Sequence, residues 1–464
     1  MLDALGSHIT AIADVVCGIP LFVTLIGGGV WLFLYSRGVS LQRLPEALIT
    51  IRRSRAQKKS GEISSIQALA SVVAGTIGMG NIAGVTIAIA MGGPGAVFWM
   101  WVSALVGMCT KYHEGVLSIM YRSTNSDGEH QGGTMHIIHH GLGKRWLPMA
   151  KFFAVAGMFG TLCIMNANQL TEATVATAGN FIEITSGFMA KLWTGIAIAT
   201  LVAAVVLGGI KRISRVASVL VPFMVANYFI MVLYIIVTNI NHVGGVFATI
   251  FTNAFSLEAG WGALAGVAII GARRAALVND AGIGTASIMH GKSSNTEPVR
   301  EGLVAMLGPA IDSGFVCTLT ALSVLLCIPA DTLSTGTAQG LEMALKAFGS
   351  GIPYGEYMLM AIVACFALSS MFSYSYYGQR CAAYLMGESG AKVYTYLFIA
   401  SLILFAVVPL KAAVGLCDLF YALMAFPTML TLILLRKKVR EQSQQYFRPK
   451  PADDISNLKF NPEI

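Results

Sequence analysis

Two stretches combine glycines with side-chain amides and an acid inside otherwise apolar sequence. The first reads Ala74-Gly75-Thr76-Ile77-Gly78-Met79-Gly80-Asn81-Ile82-Ala83-Gly84 and the second Asn279-Asp280-Ala281-Gly282-Ile283-Gly284-Thr285-Ala286-Ser287. Glycine costs a helix interior about 1 kcal/mol relative to alanine. Such crowding either lets a neighbouring helix approach closely or breaks the helix, freeing amides and carbonyls to bind a carboxylate and a cation. Three glycines beside Asn81 favour a break in the first stretch, and Gly282-Ile283-Gly284 echoes Gly78-Met79-Gly80. Asp280 then either faces an amine or cation or caps the half-helix that follows. Arg273 and Arg274 precede it, to pair with it or to snorkel.

Further polar residues interrupt apolar runs. In Ser369-Ser370-Met371-Phe372-Ser373-Tyr374, neutral hydroxyl oxygens suit a hard cation, although membrane serines also bond back to their own helix. Asn168, Gln169 and Glu172 share a helical face with Met165; that face lines a permeation path or satisfies bonds between helices. Asp312, near Cys317 and Thr318, is another buried acid, and Lys111 with Glu114, three residues apart, reads as a structural ion pair. The histidines at 130, 136, 139 and 140 have only Glu129 nearby to complete a metal site, so none is expected. The eight cysteines form no CxxC pair and read as free core thiols. No P-loop, nucleophile elbow or zinc-protease helix is present, which argues against an ATP-driven pump within this chain.

The elements that carry these residues follow from solvent. The 464 residues are 55% hydrophobic and 12% charged, with mean hydropathy +0.69, whereas a soluble domain is about 25% charged. A bilayer core offers no water to the backbone, so spans must be helices or closed barrels. Continuous apolar runs of about 20 residues select helices. An all-α polytopic membrane protein with eleven spans is expected, near 12–35, 67–92, 95–120, 151–178, 192–209, 214–239, 260–290, 300–328, 355–385, 393–409 and 413–435. The first run reads as a true span rather than a cleavable signal. With it set apart, 67–239 and 260–435 form two halves of five spans, each beginning with a broken helix. An odd number per half makes the repeats inverted.

Lys and Arg crowd alternate loops, beginning with seven between Arg37 and Lys59, and only Lys191, Lys346 and Lys411 occupy the opposite ones. This bias predicts the N-terminus outside and the C-terminus cytoplasmic. It also explains the net charge of +8 as topology rather than a nucleic-acid surface. Within the transmembrane domain, residues 1–440, no cofactor is expected. Polar residues 441–464 read as a flexible cytoplasmic tail.

The run from Gly75 to Arg122, containing GTIGMGNIAGVTIAIAMGGPGAVFWMWVSALVGMCTKYHEGVLSIMYR, resembles the alanine/glycine:cation symporter family, also called sodium:alanine symporters. Val278–Ala286, Cys317–Leu322 and Ser375-Tyr376-Tyr377-Gly378 carry the resemblance over nearly the whole chain. It implies a leucine-transporter-like fold in a bacterial cytoplasmic membrane and sodium-coupled uptake of a small neutral amino acid, alanine or glycine. By further similarity to neurotransmitter:sodium symporters, the amides near Met79 and Gly80 hold the substrate carboxylate. The carbonyls of Ala74 and Ile77, with Ser369 and Ser370, hold sodium. The implied substrate site comprises Thr76, Gly78, Met79, Gly80 and Asn81, Asn168 and Gln169, then Asn279, Asp280, Gly282, Ile283 and Tyr374. The chain departs from the family at Asp280 (typically Glu), Val278 (Ser), Tyr374 (Trp) and Thr134 (Pro), leaving room for a somewhat larger or more polar amino acid. Proton coupling through Asp280 and glutamine or serine selectivity are the alternatives within the fold. Outside it stand a passive channel and a membrane-embedded enzyme built on Asp280 and Asp312.

Overall fold

The computed structural model describes residues 13, 15–53, 64–124, 128, 130–179, 187–256, 260–328 and 340–448. The chain is mostly helical. Seven described helices are long and apolar enough to cross a membrane: Val15–Tyr35 (α1), Lys144–Gly179, Phe188–Val206, Arg215–Thr238, Pro298–Cys327, Gly355–Val407 and Ala412–Tyr446. After α1 comes a surface helix, α2 (Leu44–Arg53). The two glycine-rich runs fall into shorter pieces because the chain breaks within them. The first gives α3 (Ser65–Thr76) and α4 (Gly80–Gly92), and α5 (Ala96–Met120) follows. Ser123–Thr124 and His130–Gln131 form a minimal antiparallel hairpin, a small exception to the all-helical expectation.

The expected span at 151–178 is also interrupted. It divides into α6 (Leu147–Gly160) and α7 (Ile164–Gly179), with Cys163 at φ 53 between them. Then come α8 (Phe188–Val206), α9 (Gly209–Thr238) and α10 (Ile240–Ala254), which the sequence reading missed. The second glycine-rich run gives α11 (Gly260–Val278) and α12 (Thr285–His290). The remaining elements are α13 (Pro298–Cys327), α14 (Leu341–Gly351), α15 (Gly355–Val407), which reverses at Gly387 (φ 72), and α16 (Leu410–Tyr446). The last helix continues through Tyr446, past the expected start of the tail at 441; residues 449–464 lie outside the described ones.

Packing inverts that of a soluble protein. Trp31, Trp193, Val219, Ile230 and Leu404 are exposed, while Lys111, Glu114, Asp280 and Asp312 are buried. Small residues bring the helices together. A Cβ on Gly302 of α13 would stand 2.5 Å from Val116 and 2.9 Å from the Tyr112 carbonyl of α5, and one on Gly115 would meet Ala305 at 2.7 Å. At its start α3 is fixed by a Ser64–Gln67 capping box. It is fixed again by Ser65, whose hydroxyl donates to Glu301 Oε2 at 2.7 Å. The other oxygen of Glu301 lies 2.7 Å from His290 Nδ1, which ties α12 to α13.

The loop histidines stack on one another, His136 with His140 at 6.1 Å and His139 with His140 at 4.8 Å between ring centroids. Burial pushes His136 down to about 4 from 6.5, and the neighbouring His140 and His139 add to the effect. A base whose folded pKa is lowered stabilises the fold above its unfolded value and loses that contribution as pH falls. The melting temperature should therefore drop as pH falls from 6.5 towards 4, and His136→Gln should flatten that dependence. Gly302→Ala should destabilise by about 1–3 kcal/mol through overpacking. The same change at Gly245, where a Cβ meets nothing within 4 Å, should be neutral or stabilising; thermal unfolding in detergent compares the two.

Candidate functional site

The first break begins where Ile77 turns extended (φ −69, ψ 96) and ends α3; the chain resumes at Gly80 through a wide turn, Gly80–Gly84. Asn81 closes the gap. Its Oδ1 accepts the Gly78 N–H at 3.0 Å, and its own N–H donates to the Gly78 carbonyl at 3.2 Å. The Asn81 amide also donates to Asp312 Oδ1 of α13 and reaches Cys317 Sγ at 3.5 Å. Ser370 of α15 donates to the Gly75 carbonyl at 2.9 Å. A Cβ on Gly78 would stand 2.5 Å from the Ser370 hydroxyl, so the close approach requires glycine.

The second break uses a different device. Asp280, Gly282 and Gly284 take positive φ of 53, 84 and 95. Asn279 Oδ1 accepts the Ala281 N–H at 2.9 Å, and its amide donates to Ser313 at 3.0 Å. The Gly282 N–H donates to Glu114 Oε1 at 2.6 Å. Thr428 of α16 donates to the Ile283 carbonyl at 3.1 Å. Asp280 Oδ2 accepts Thr285 Oγ1 at 3.0 Å and the Tyr374 hydroxyl.

Several expectations are corrected here. Asp280 is not a helix cap, because Gly284 occupies the N-cap of α12. Arg273 and Arg274 do not pair with Asp280; they lie 3.2 and 3.6 Å from Asp418 of α16. Lys111 and Glu114 share no hydrogen bond, since Glu114 reaches across to Gly282 and Lys111 Nζ has no hydrogen-bond partner among the described residues. Gly107, Lys111 and Glu114 nonetheless share the α5 face turned to the second break. A Cβ on Gly107 would meet Ala281 at 3.1 Å and the Asn279 amide at 3.3 Å. Among the described residues, Glu114 Oε2, Asp280 Oδ1 and Asp312 Oδ2 are likewise buried without a hydrogen-bond partner.

Between the breaks lies a cavity of about 650 Å³ of empty space, mouth included. Of the expected substrate residues, Thr76, Gly78, Met79, Gly80 and Tyr374 line it, and so do Val278 and Ser370. Asn81, Asn279, Asp280, Gly282 and Ile283 are buried and are not among its lining residues. Asn168 points elsewhere, donating to the Phe405 and Val408 carbonyls at 3.1 and 2.5 Å. Gln169 lies by Gly340, and Glu172 is bonded to Lys191. Ser369 donates to Phe366 of its own helix at 2.9 Å. Of that face only Met165 reaches the cavity, beside Cys163 and Asn166; Arg274, Asp418 and Tyr421 line it too, which sequence reasoning did not place there. The unwinding around Cys163 follows directly on Gly160, the last residue of α6, which was not read as a break; Asp418, an acid within an apolar run, was a legible signal.

Asn81→Ala would leave the Gly78 N–H and Asp312 without their partner. Stranding buried groups costs about 1–3 kcal/mol each, so the melting temperature should fall by several degrees together with substrate binding, whereas Asn166→Ala, at the cavity wall, should alter binding more than melting.

The geometry agrees with comparisons to known proteins. The sodium:alanine symporter family profile matches residues 2–460. The chain is 36% identical to the sodium/alanine symporter AgcS of Methanococcus maripaludis, over 95% of this chain and 97% of that protein. It is 28% identical to a protein of Bacillus subtilis described as a probable sodium/glutamine symporter, GlnT, over 96% and 91% of the two chains. Among solved structures, MhsT in complex with L-phenylalanine superposes with a TM-score of 0.52 at 15% identity, covering 82% of this chain and all of that one, a likeness of fold alone. With the family pattern spanning both breaks and the helices that bond them, the chain belongs to the sodium:alanine symporter family.

Proposed function

We propose that the protein performs sodium-driven symport of a small neutral amino acid, alanine or glycine, by alternating access across a bacterial cytoplasmic membrane. The reading rests on charge. Three buried carboxylates, Glu114, Asp280 and Asp312, stand around the breaks with one buried ammonium, Lys111, and each group has an atom lacking a hydrogen-bond partner among the described residues. Unbalanced charge at membrane depth is costly. A coupling cation supplies one more positive charge, and the zwitterionic substrate, neutral overall, can turn its ammonium towards the remaining acids. The substrate carboxylate has the positive end of α4 at Met79 and Gly80, with Arg274 on the cavity wall. The cation has the Ala74 and Ile77 carbonyls, which lose their helical partners at the end of α3, beside Ser370; Ser369 joins them only by turning its hydroxyl away from Phe366.

The likeness to MhsT and the spacing of the breaks support eleven spans in two inverted halves, 67–239 and 260–435. The loop charges support an external N-terminus and a cytoplasmic C-terminus. Proton coupling through Asp280 remains the second reading, because protonation also balances the charges. An enzyme is disfavoured: Asp280 is bonded to Tyr374 and Thr285, and Asp312 to Asn81, with no hydrogen bond joining the two acids.

Each sodium moving down 100 mV supplies about 2.3 kcal/mol, so proteoliposomes with an inward sodium gradient should accumulate radiolabelled alanine above equilibrium. Ser370→Ala should raise the half-saturating sodium concentration about tenfold, the equivalent of one lost ligand at about 1.4 kcal/mol. Accumulation driven by protons instead would transfer coupling to Asp280, equilibration without accumulation would mean a channel, and competition by glutamine but not alanine would reassign the substrate.

A further inference from the structure

A second cavity lies away from the breaks, where the apolar parts of α1 and α16 give way to arginines. It holds about 760 Å³ of empty space, and Arg37, Arg43 and Arg440 line it with Tyr35, Tyr112 and Phe447. Among the described residues no carboxylate lines it. The guanidinium of Arg43 lies 4.1 Å from the Phe447 ring centroid, and that of Arg440 lies 5.4 Å from the Tyr35 centroid. Such stacking holds a guanidinium in place while leaving its N–H edge available. Tyr112 and Ser443 are joined at 2.7 Å between their hydroxyls.

The arginines are incompletely neutralised. Glu46 meets Arg43 at 2.5 Å, but Arg37 and Arg440 have no carboxylate partner among the described residues. Arg37 also takes φ 56, an uncommon conformation for a residue other than glycine, and such strain concentrates where a position serves binding. Beside the cavity the surface turns apolar. Trp31 and Leu34 of α1, Leu41, and Leu48 and Ile49 of α2 are exposed. A group that suits three guanidiniums is a phosphate, whose oxygens accept their N–H bonds. One that also covers the neighbouring apolar surface is a phosphate carrying acyl chains.

We infer that this cavity is a binding site for the phosphate of an anionic phospholipid, seated between Arg37, Arg43 and Arg440 with its hydrocarbon along α1 and α2. Basic pockets at membrane boundaries recognise such headgroups. The site is independent of which amino acid the protein transports.

Native mass spectrometry of the full-length protein, released from micelles doped with phosphatidylglycerol or phosphatidylcholine, tests it. Wild type should retain phosphatidylglycerol and not phosphatidylcholine. The double substitution Arg37→Gln/Arg440→Gln should reduce the apparent affinity about thirtyfold, given the usual contribution of a basic residue near anionic lipid. Arg145→Gln, an exposed arginine elsewhere, should not change it, and Arg440→Lys should retain part of it. If the double variant does not fold, wild type alone decides, because its melting temperature should rise with phosphatidylglycerol and not with phosphatidylcholine. Equal retention of both lipids, or retention unaffected by the double substitution, overturns the proposal. Stabilisation by glycerol 3-phosphate equal to that by phosphatidylglycerol overturns the lipid assignment and leaves a soluble phosphate as the occupant.

Discussion

A backbone amide that leaves its helix inside a bilayer meets no water, and leaving it unbonded costs several kcal/mol. The two interruptions in this chain are possible because side chains replace the missing bonds. Asn81 holds the Gly78 amide from three residues along the chain, and Glu114 holds the Gly282 amide from another helix. These bonds fix the helices around them. Glu114 has to stand at the depth of Gly282, and Asp312 at the depth of Asn81. The close contact of Gly115 with Gly302 brings α5 and α13 near enough for both requirements to be met at once. Close packing elsewhere in the bundle thus serves the polar bonds at its centre.

The breaks themselves were legible because glycine beside a short amide has a local meaning: it marks backbone leaving the helix. Helix placement was legible because apolar run length has to match bilayer thickness. What could not be read was direction. Asn168 and Asn166 are two residues apart in equally plausible positions, yet Asn166 reaches the cavity while Asn168 bonds the end of α15. The interruption between α6 and α7 lies at Thr161-Leu162-Cys163, and its one local sign, Gly160 at the end of α6, does not stand out in a glycine-rich chain. Ser369 and Ser370 differ in the same way, adjacent in sequence but about 100° apart around a helix. Partners distant in sequence, such as Asp418 for Arg274, depend on tertiary placement that helical periodicity does not encode.

Two departures from the family resemblance meet in one hydrogen bond. The acid is shorter than usual at Asp280, and the ring is smaller and hydroxylated at Tyr374; here the Tyr374 hydroxyl donates to Asp280. The bond places a donor from the cavity wall on the buried carboxylate. Val278, beside Gly80 and Gly84, makes the same wall more apolar.

The two ends of α3 are fastened unequally. Its start is held by Ser65 on the buried Glu301, which also engages His290; its finish is held at the Gly75 carbonyl by the lone hydroxyl of Ser370. A twelve-residue helix is a stiff rod of about 18 Å, so movement at one end is geared to movement at the other. The weaker fastening lies beside the proposed cation ligands and the stronger one a rod's length away. The end held on Glu301 is the natural pivot, and the end at the first break is the one freer to swing about it.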